Sequence, residues 1–222
     1  MLDCVELSTG PNPTHSVIWL HGLGADGHDF EPIVPELVRP NWPALRFVFP
    51  HAPIRPVTIN GGMQMRAWYD ITSLDFNLPR EDAAGVEASC AEVEQLIARE
   101  NARGIPSSRI LLAGFSQGGA ITLALGLRRA ESLAGLIALS TYVPMAEQTL
   151  AQLSEAGRAM PIFMAHGSQD PVIPCTIGER SAQRLRNAGL DLQWRQYPMQ
   201  HAVCLEEIRD LAQWMEQRVL GA

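Results

Sequence analysis

The chain has 222 residues, a net charge of −7, 46% hydrophobic residues and 18% charged residues. These proportions are typical of a folded globular protein and exclude an intrinsically disordered chain. Because no run of basic residues is longer than Arg128-Arg129, the clustered positive charge that nucleic-acid binding requires is missing, and we expect no nucleic-acid partner.

The N-terminal residues MLDCVELSTG lack a basic stretch followed by an apolar core, so they resemble neither a secretory signal nor a transit peptide. No apolar run approaches the ~18 residues of a membrane span. We therefore expect a cytoplasmic protein without integral membrane segments. The cysteines form no C-x-x-C pair, which predicts reduced thiols rather than a disulfide or a metal site: Cys4, Cys90, Cys175 and Cys204.

Short apolar runs bounded by turn residues alternate with helix-like stretches along the chain. The predicted strands are 16–20, 45–50, 109–115, 135–141, 161–166 and 192–198. The predicted helices are 28–38, 81–103, 117–129, 148–158, 177–187 and 203–219. This alternation predicts a mostly parallel sheet with helices on both faces. Because no linker, repeat or low-complexity tract interrupts it, residues 1–222 are predicted to form a single α/β domain.

The first predicted turn contains a G-x-G-x-x-G pattern at residues 22–27, within IWLHGLGADGHDF. One interpretation is a dinucleotide-binding loop, which needs an acidic residue about 20 residues further on to hold the ribose. The second predicted strand ends instead in Pro50-His51. The other interpretation is a loop whose backbone amides bind an oxyanion, with Leu23 as a donor and Gly27 starting the next helix.

A long connection, residues 51–80, follows the second predicted strand. Loops of this length are usually functional or contain short strands of their own. Its apolar residues predict either the wall of a pocket or packing beneath the loop: Met63, Met65, Trp68 and Phe76. They are also compatible with a homodimer.

The next strand, RILLAGF, leads into GFSQGG and then into an apolar helix. A G-x-S-x-G pattern in this setting predicts a sharp strand-to-helix turn that exposes the hydroxyl of Ser116 as a nucleophile. The amide of Gln117 would then be the second oxyanion donor. The alternative is a serine that only caps the helix.

A nucleophilic serine needs a histidine base that a carboxylate orients. In hydrolases with G-x-S-x-G the order along the chain is serine, acid, histidine. His201 is the histidine that follows the acidic candidates. Asp170 ends a predicted strand at the carboxyl edge of the sheet, whereas Asp191 opens a strand at the opposite edge. A turn-capping role for Asp170 and a surface position for His201 remain as alternatives.

The other histidines are given structural roles. His21 and His166 each precede a glycine at a strand end and are expected to hold neighbouring turns by hydrogen bonds. His15, His28 and His51 lack the spacing of metal ligands, and we expect no metal.

Six segments together resemble the carboxylesterase and acyl-protein thioesterase family of small α/β-hydrolases: WLHGLGADGHDF, AWYDI, GFSQGGA, LSTYVP, HGSQDPVIP and MQHAVCLEEI. The first is most similar to bacterial carboxylesterases. The resemblance implies an α/β-hydrolase fold without a large cap domain and the same catalytic set, namely Ser116, Asp170 and His201, with Leu23 and Gln117 as oxyanion donors. It also implies an acyl groove near the serine that contains Leu23, Met65 and Trp68.

These observations predict a carboxylesterase that acts on small-molecule esters of short to medium acyl chains and needs no cofactor. An acyl-protein thioesterase or a lysophospholipase-type hydrolase is the alternative, since such enzymes share the triad and differ in the length of the groove. A non-catalytic binding module or a nucleotide-binding protein is the third hypothesis.

Overall fold

The apolar runs form the central strands of a seven-stranded sheet in a computed structural model that describes residues 1–78 and 80–221. The strands are β1 (Cys4–Ser8), β2 (His15–Leu20), β3 (Leu45–Pro50), β4 (Ile54–Val57), β5 (Met63–Arg66), β6 (Ile110–Phe115), β7 (Gly135–Leu139), β8 (Ile162–Gly167) and β9 (Leu192–Tyr197). The helices are α1 (Val34–Leu37), α2 (Ala83–Ala102), α3 (Gln117–Gly126), α4 (Ala146–Ala151), α5 (Glu155–Ala159), α6 (Cys175–Asn187) and α7 (Leu205–Val219).

Neighbouring side chains of the central strands point to two separate apolar cores, one on each face of the sheet. In β2, Ile18 packs with residues of α2 and α3, whereas Val17 packs with residues of α1 and α7. Both side chains are fully buried. This explains why the central strands are apolar without alternation, and it confirms the predicted α/β fold with helices on both faces.

The order of the strands is β1-β3-β2-β6-β7-β8-β9, and every neighbouring pair is parallel except β1 with β3. From β2 the chain continues on one side to β3, while β6 lies on the other side and starts the series towards β9. The carboxyl ends of β2 and β6 therefore meet at the point where the strand order reverses, which is where ligands bind in open α/β sheets.

Two strand regions were not predicted. β1 lies antiparallel at the sheet edge, with Val5 opposite Phe49. Within the long connection, β4 and β5 form an antiparallel hairpin in which Val57 faces Met63. Each is only four or five residues long, so its apolar pattern is too short to stand out in the sequence.

The predicted helix 28–38 was too long. Residues 31–33 form a 3₁₀ turn, and only α1 is α-helical, because Pro32 and Pro35 lack the amide hydrogens that a longer helix would use. Gly27 does not start a helix. Its amide donates to Nδ1 of His51 at 3.0 Å, and a β-carbon at Gly27 would overlap the carbonyl oxygen of Phe49.

The predicted helix 148–158 is divided into α4 and α5. The hydroxyl of Ser154 caps α5 by accepting from the amide of Gly157 at 2.8 Å, which starts a new helix. All four cysteines are free thiols. Within the described residues, we find no helix with the length and apolar character needed to cross a membrane.

A buried ion cluster joins α2 to the edge of the sheet. The side chain of Glu100 is fully buried and contacts Arg46 of β3 and Arg103, both at 3.0 Å. Arg103 in turn contacts Glu6 of β1 at 2.9 Å. Glu100 therefore forms ion pairs with one arginine from a strand and with one that directly follows its own helix.

We expect Glu100→Ala to lower the free energy of unfolding by about 2 kcal/mol, because it removes a fully buried side chain together with the ion-pair partner of Arg46, which is only 19% exposed. Urea unfolding would measure it. Glu87→Ala on the same helix is the matched control, since the Glu87 side chain is 49% exposed, and it should cost less than about 1 kcal/mol. Equal effects of the two substitutions would contradict a special role for the buried cluster.

Candidate active site

Ser116 lies in a tight turn between β6 and α3. Its backbone has φ 54° and ψ −119°, a combination that non-glycine residues rarely adopt. The turn requires glycine on both sides. A β-carbon at Gly114 would overlap the backbone of Gly118, and one at Gly118 would overlap the carbonyl oxygen of Leu20. The two glycines thus bring β6, α3 and β2 into direct backbone contact beside the serine.

The three residues expected to form a triad are adjacent. Nε2 of His201 is 2.9 Å from Oγ of Ser116, and Nδ1 of His201 is 2.6 Å from Oδ2 of Asp170. A carboxylate at Nδ1 accepts a hydrogen bond from the Nδ1–H group and so keeps the proton on Nδ1, which leaves a lone pair on Nε2 for the serine hydroxyl. The arrangement can therefore remove a proton from Ser116.

The carboxyl group of Asp170 divides its contacts between two oxygens. Oδ1 accepts from the amides of Val172 and Ile173 at 2.8 and 2.9 Å, while Oδ2 faces His201 and lies 3.3 Å from Nε2 of His166. Burial alone would raise the pKa of Asp170, but the hydrogen bonds from His166, His201 and Ile173 outweigh it and hold the pKa well below its usual range. Turn capping and orientation of the histidine thus use different oxygens of one side chain.

Backbone hydrogen bonds join the loop that carries Asp170 to the loop that carries His201. The amide of Ser168 donates to the carbonyl of Tyr197 at 2.8 Å, and the amide of Gln169 donates to that of Met199 at 3.1 Å. The imidazole of His201 also packs on the ring of Phe115, with the ring centroids 4.8 Å apart. The acid and the histidine are therefore fixed relative to each other and to the serine turn.

The loop after β2 carries the first proposed oxyanion donor. The amide of Gly24 donates to the carbonyl of Arg66 at 2.8 Å, and the amide of Ala25 donates to that of Gly22 at 3.3 Å. The amides of Leu23 and Gln117 have no backbone acceptor among the described residues, and the amide of Gln117 opens α3, where the helix itself offers none. Both amides remain available to an oxygen beside Ser116.

The side chain of Gln117 fixes the segment that covers the serine turn. Its Oε1 accepts from the amide of Trp68 at 2.7 Å, and its Nε2 donates to the carbonyl of Tyr69 at 2.7 Å. The indole of Trp68 donates to the carbonyl of His21 at 2.9 Å. One side chain and one indole therefore hold the long connection against both the loop after β2 and the start of α3.

The expected acyl-groove residues lie in different surroundings. Trp68 is fully buried, and its indole supports the loop after β2, which is the packing role that the sequence left open for it. Leu23 is half-buried against the core. The sulfur of Met65 lies beside Gly24, where a β-carbon would meet it at 3.8 Å, so Met65 packs against the loop that contains Leu23.

Comparison with known proteins matches residues 4–218 to the family model described as phospholipase/carboxylesterase. The chain belongs to the phospholipase/carboxylesterase family. It is an enzyme of the esterase type, a hydrolase of ester or thioester bonds.

Several family members are similar over nearly their whole length. Acyl-protein thioesterase 1 of Mycosarcoma maydis is 40% identical over 94% of this chain and 93% of its own. The crystal structure of Arabidopsis thaliana SOBER1 has a TM-score of 0.85 at 31% identity and covers 92% of this chain and 98% of its own. The crystal structure of Zea mays acyl-protein thioesterase 2 has a TM-score of 0.84 at 26% identity and covers 97% of this chain and 99% of its own.

In this phospholipase/carboxylesterase family member, His21 and His166 hold turns, as the sequence indicated. Nε2 of His21 accepts from the amide of Ala52 at 3.0 Å, and its Nδ1 lies 2.7 Å from the carbonyl oxygen of Gly22. Nε2 of His166 lies 2.8 Å from the carbonyl oxygen of Ile173. Burial lowers the pKa of His21 to about 4, so this imidazole is neutral at neutral pH.

Some contributors to the site were missed from sequence. They are the side-chain amide of Gln117, the contact of His166 with Asp170, and Thr141, whose hydroxyl donates to the carbonyl of Ser116 at 2.6 Å. Gln117 and Thr141 stand inside segments that carried the family resemblance, which was the available signal. Their partners lie 25 or more residues away in the chain, so no local pattern identifies them.

We expect the stability of the protein to fall as the pH is lowered from about 6.5 to 4, in part through His21. In that range the unfolded chain binds a proton at this position and the folded chain does not. A drop of the pKa from 6.5 to about 4 corresponds to a loss of about 3 kcal/mol below both values. Urea unfolding at a series of pH values should show a flatter pH dependence for His21→Gln.

His28→Gln is the control, because the side chain of His28 is 65% exposed and solvated in the folded state as well. Its pH dependence should parallel that of the wild type. A His21→Gln curve that also parallels the wild type would contradict a buried neutral imidazole at this position.

Proposed function

We propose that the protein hydrolyses small-molecule carboxylic esters of short to medium acyl chains through a covalent acyl-enzyme. The observation that supports this proposal is the chain of contacts from Ser116 through His201 to Asp170, at the reversal point of the sheet. Ser116 acts as nucleophile, His201 as general base and acid, and Asp170 as the group that orients the imidazole.

In the first step Oγ of Ser116 attacks the ester carbonyl carbon while Nε2 of His201 takes the hydroxyl proton. The carbonyl oxygen becomes an oxyanion, which the amides of Leu23 and Gln117 stabilise by hydrogen bonds. Asp170 stabilises the imidazolium and stays ionised, in keeping with its low pKa. His201 then gives the proton to the leaving alcohol as the carbon–oxygen bond breaks.

In the second step a water molecule attacks the acyl group on Ser116. His201 accepts a proton from the water and returns one to Oγ when the acyl–serine bond breaks. The products are the carboxylic acid and the free enzyme, so the cycle balances without any cofactor.

The alternatives for these residues have less support. Within the described part of the chain, the hydroxyl of Ser116 makes no capping hydrogen bond to α3, as a capping serine would. The amide of Gly24 is occupied by the carbonyl of Arg66, whereas a dinucleotide loop would direct its amides at phosphate. Both observations favour the hydrolase interpretation.

Hydrolysis of acyl thioesters is the second candidate function. The supporting observation is that the similar proteins from Mycosarcoma maydis and Cryptococcus neoformans are both named acyl-protein thioesterase 1, at 40% and 37% identity. The same serine, histidine and aspartate would serve, since the attack on a thioester carbonyl also forms an oxyanion. The two functions differ in the leaving group and in the groove.

We expect Ser116→Ala and His201→Gln each to lower kcat for p-nitrophenyl esters by about 10³-fold or more, and Asp170→Asn by a similar factor, because the three groups act as a unit. Stopped assays with acetate to palmitate esters measure this effect and the chain-length optimum together.

Asp191→Asn is the matched control, since Asp191 precedes β9 at the opposite edge of the sheet. It should retain the activity of the wild type. Hydrolysis at the wild-type rate by folded Ser116→Ala protein would show that another residue is the nucleophile.

A comparison of oxygen esters with thioesters of the same acyl chain would separate the two candidate functions. If the ester proposal is right, kcat/KM for the oxygen ester should equal or exceed that for the thioester after correction for the uncatalysed rates. A thioester preference of more than about tenfold, which corresponds to ~1.4 kcal/mol of transition-state binding, would favour the second candidate.

A further inference from the structure

A cavity of about 530 Å³ lies beside the proposed active site without containing any residue of the triad. Its walls come from residues 76–78 and Arg80 of the long connection, from Glu81 and Ala83 just after it, from the segment after β7 with the start of α4, and from α6. Tyr142 forms part of the wall, and its neighbour Thr141 donates to the carbonyl of Ser116. Because adjacent residues are about 3.8 Å apart along the chain, the cavity begins close to the serine turn.

Arg80 lines this cavity although it is 94% buried, since only 6% of its surface is exposed. Its guanidinium lies over the ring of Phe76, with Cζ 3.9 Å from the ring centre, and Cζ is 5.5 Å from the ring centre of Tyr142. The amide and hydroxyl of Thr72 both donate to its backbone carbonyl, at 2.8 and 3.2 Å. The backbone of Arg80 is therefore held in place, and its side chain packs on an aromatic ring instead of extending into solvent.

Two guanidinium nitrogens of Arg80, Nε and Nη1, are buried and have no hydrogen-bond acceptor among the described residues. Arginine is rarely buried unless it is paired, and a buried donor without an acceptor is costly. The aromatic rings attract the positive charge but accept no conventional hydrogen bond. Both nitrogens lie behind the wall of the cavity with almost no exposed surface, so the guanidinium must turn towards the cavity to donate to a ligand there.

The other charges around the cavity leave it positive. Arg180 and Arg184 of α6 line it, as do Glu81 and Glu147. None of the ion pairs among the described residues involves any of the three arginines. The lining therefore carries one net positive charge in a protein whose total charge is −7.

We propose that this cavity is a subsite for a carboxylate of the substrate, with the guanidinium of Arg80 as its main donor. A planar guanidinium matches a carboxylate with two parallel hydrogen bonds. A lining with one net positive charge and two glutamates suits a carboxylate better than a phosphate, which carries nearly two negative charges at neutral pH. The favoured substrates are then esters that bear a carboxylate away from the bond that is cleaved.

The statement that the bound carboxylate belongs to an ester substrate rests on the proposed function, whereas the binding of an anion in this cavity does not depend on catalysis. The competing explanation is structural, with Arg80 serving only to hold residues 72–80 against Tyr142. A structural role predicts that loss of Arg80 affects charged and neutral substrates by the same factor.

The test compares pairs of substrates that differ in one charge. The first pair comprises p-nitrophenyl monoesters of dicarboxylic acids, from hexanedioate to dodecanedioate, and their counterparts with a primary amide in place of the far carboxylate. The second pair carries the charge on the alcohol: acetyl esters of ω-hydroxy acids and of the corresponding amides. Wild type, Arg80→Gln and Arg80→Lys are assayed, with Arg186→Gln as the control on α6, because Arg186 is exposed and does not line the cavity.

We expect the wild type to prefer the carboxylate by about tenfold in kcat/KM in one of the two pairs, the size expected for a charge-assisted hydrogen bond. In Arg80→Gln the ratio should approach one. Arg80→Lys should retain part of the preference, because lysine keeps the charge without the planar fork. Arg186→Gln should keep the full ratio.

Equal rates for carboxylate and amide in both pairs with the wild type would overturn the proposal, as would an equal loss on both substrates in folded Arg80→Gln protein. If Arg80→Gln does not fold, the double variant Arg180→Gln/Arg184→Gln, at two exposed helix positions, should still reduce the ratio.

If the wild type hydrolyses no ester, the deciding measurement is calorimetric binding to Ser116→Ala protein, with monomethyl octanedioate compared with dimethyl octanedioate. Tighter binding of the anion supports the subsite, and equal affinity overturns it.

Discussion

The site depends on the direct contact between the backbone of β2 and the first turn of α3. At Gly118 there is no space for a β-carbon, because the carbonyl oxygens of Leu20 and His21 lie against it. This contact places the loop after β2 next to Ser116, since a β-carbon at Gly22 would lie 3.5 Å from that of Ser116. A larger residue at Gly118 would separate the strand from the helix, and the nucleophile from the loop beside it.

Around this contact the polar groups are held by partners from different parts of the chain. His21, His166 and Asp170 each bind backbone groups of a neighbouring turn. Because buried polar groups need partners, each such contact fixes the position of one loop at the edge of the sheet. The geometry at His201 is therefore a property of the surrounding loops as well as of three side chains.

The sequence was sufficient to predict the fold class, the central strands and the adjacency of Ser116, Asp170 and His201, because strand ends in a parallel sheet meet at one edge. It was not sufficient where the outcome depends on partners distant in the chain. For Trp68 the sequence left open a pocket wall or packing beneath the loop, and only the fold shows that its indole donates to the carbonyl of His21, 47 residues away in the chain. The predicted helix 28–38 is too long because Pro32 and Pro35 remove amide donors inside it.

Gln117 combines two functions that are usually separate. Its backbone amide is the proposed second oxyanion donor, and its side chain holds residues 68 and 69 of the long connection. For protein engineering this means that the long connection is not an independent module. A loop transplanted from a relative to alter substrate selectivity must place a backbone amide and a backbone carbonyl at the same two positions. Otherwise the side chain of Gln117 loses both partners, and the first residue of α3 loses this support. A change in the long connection is therefore expected to alter substrate selectivity and turnover together.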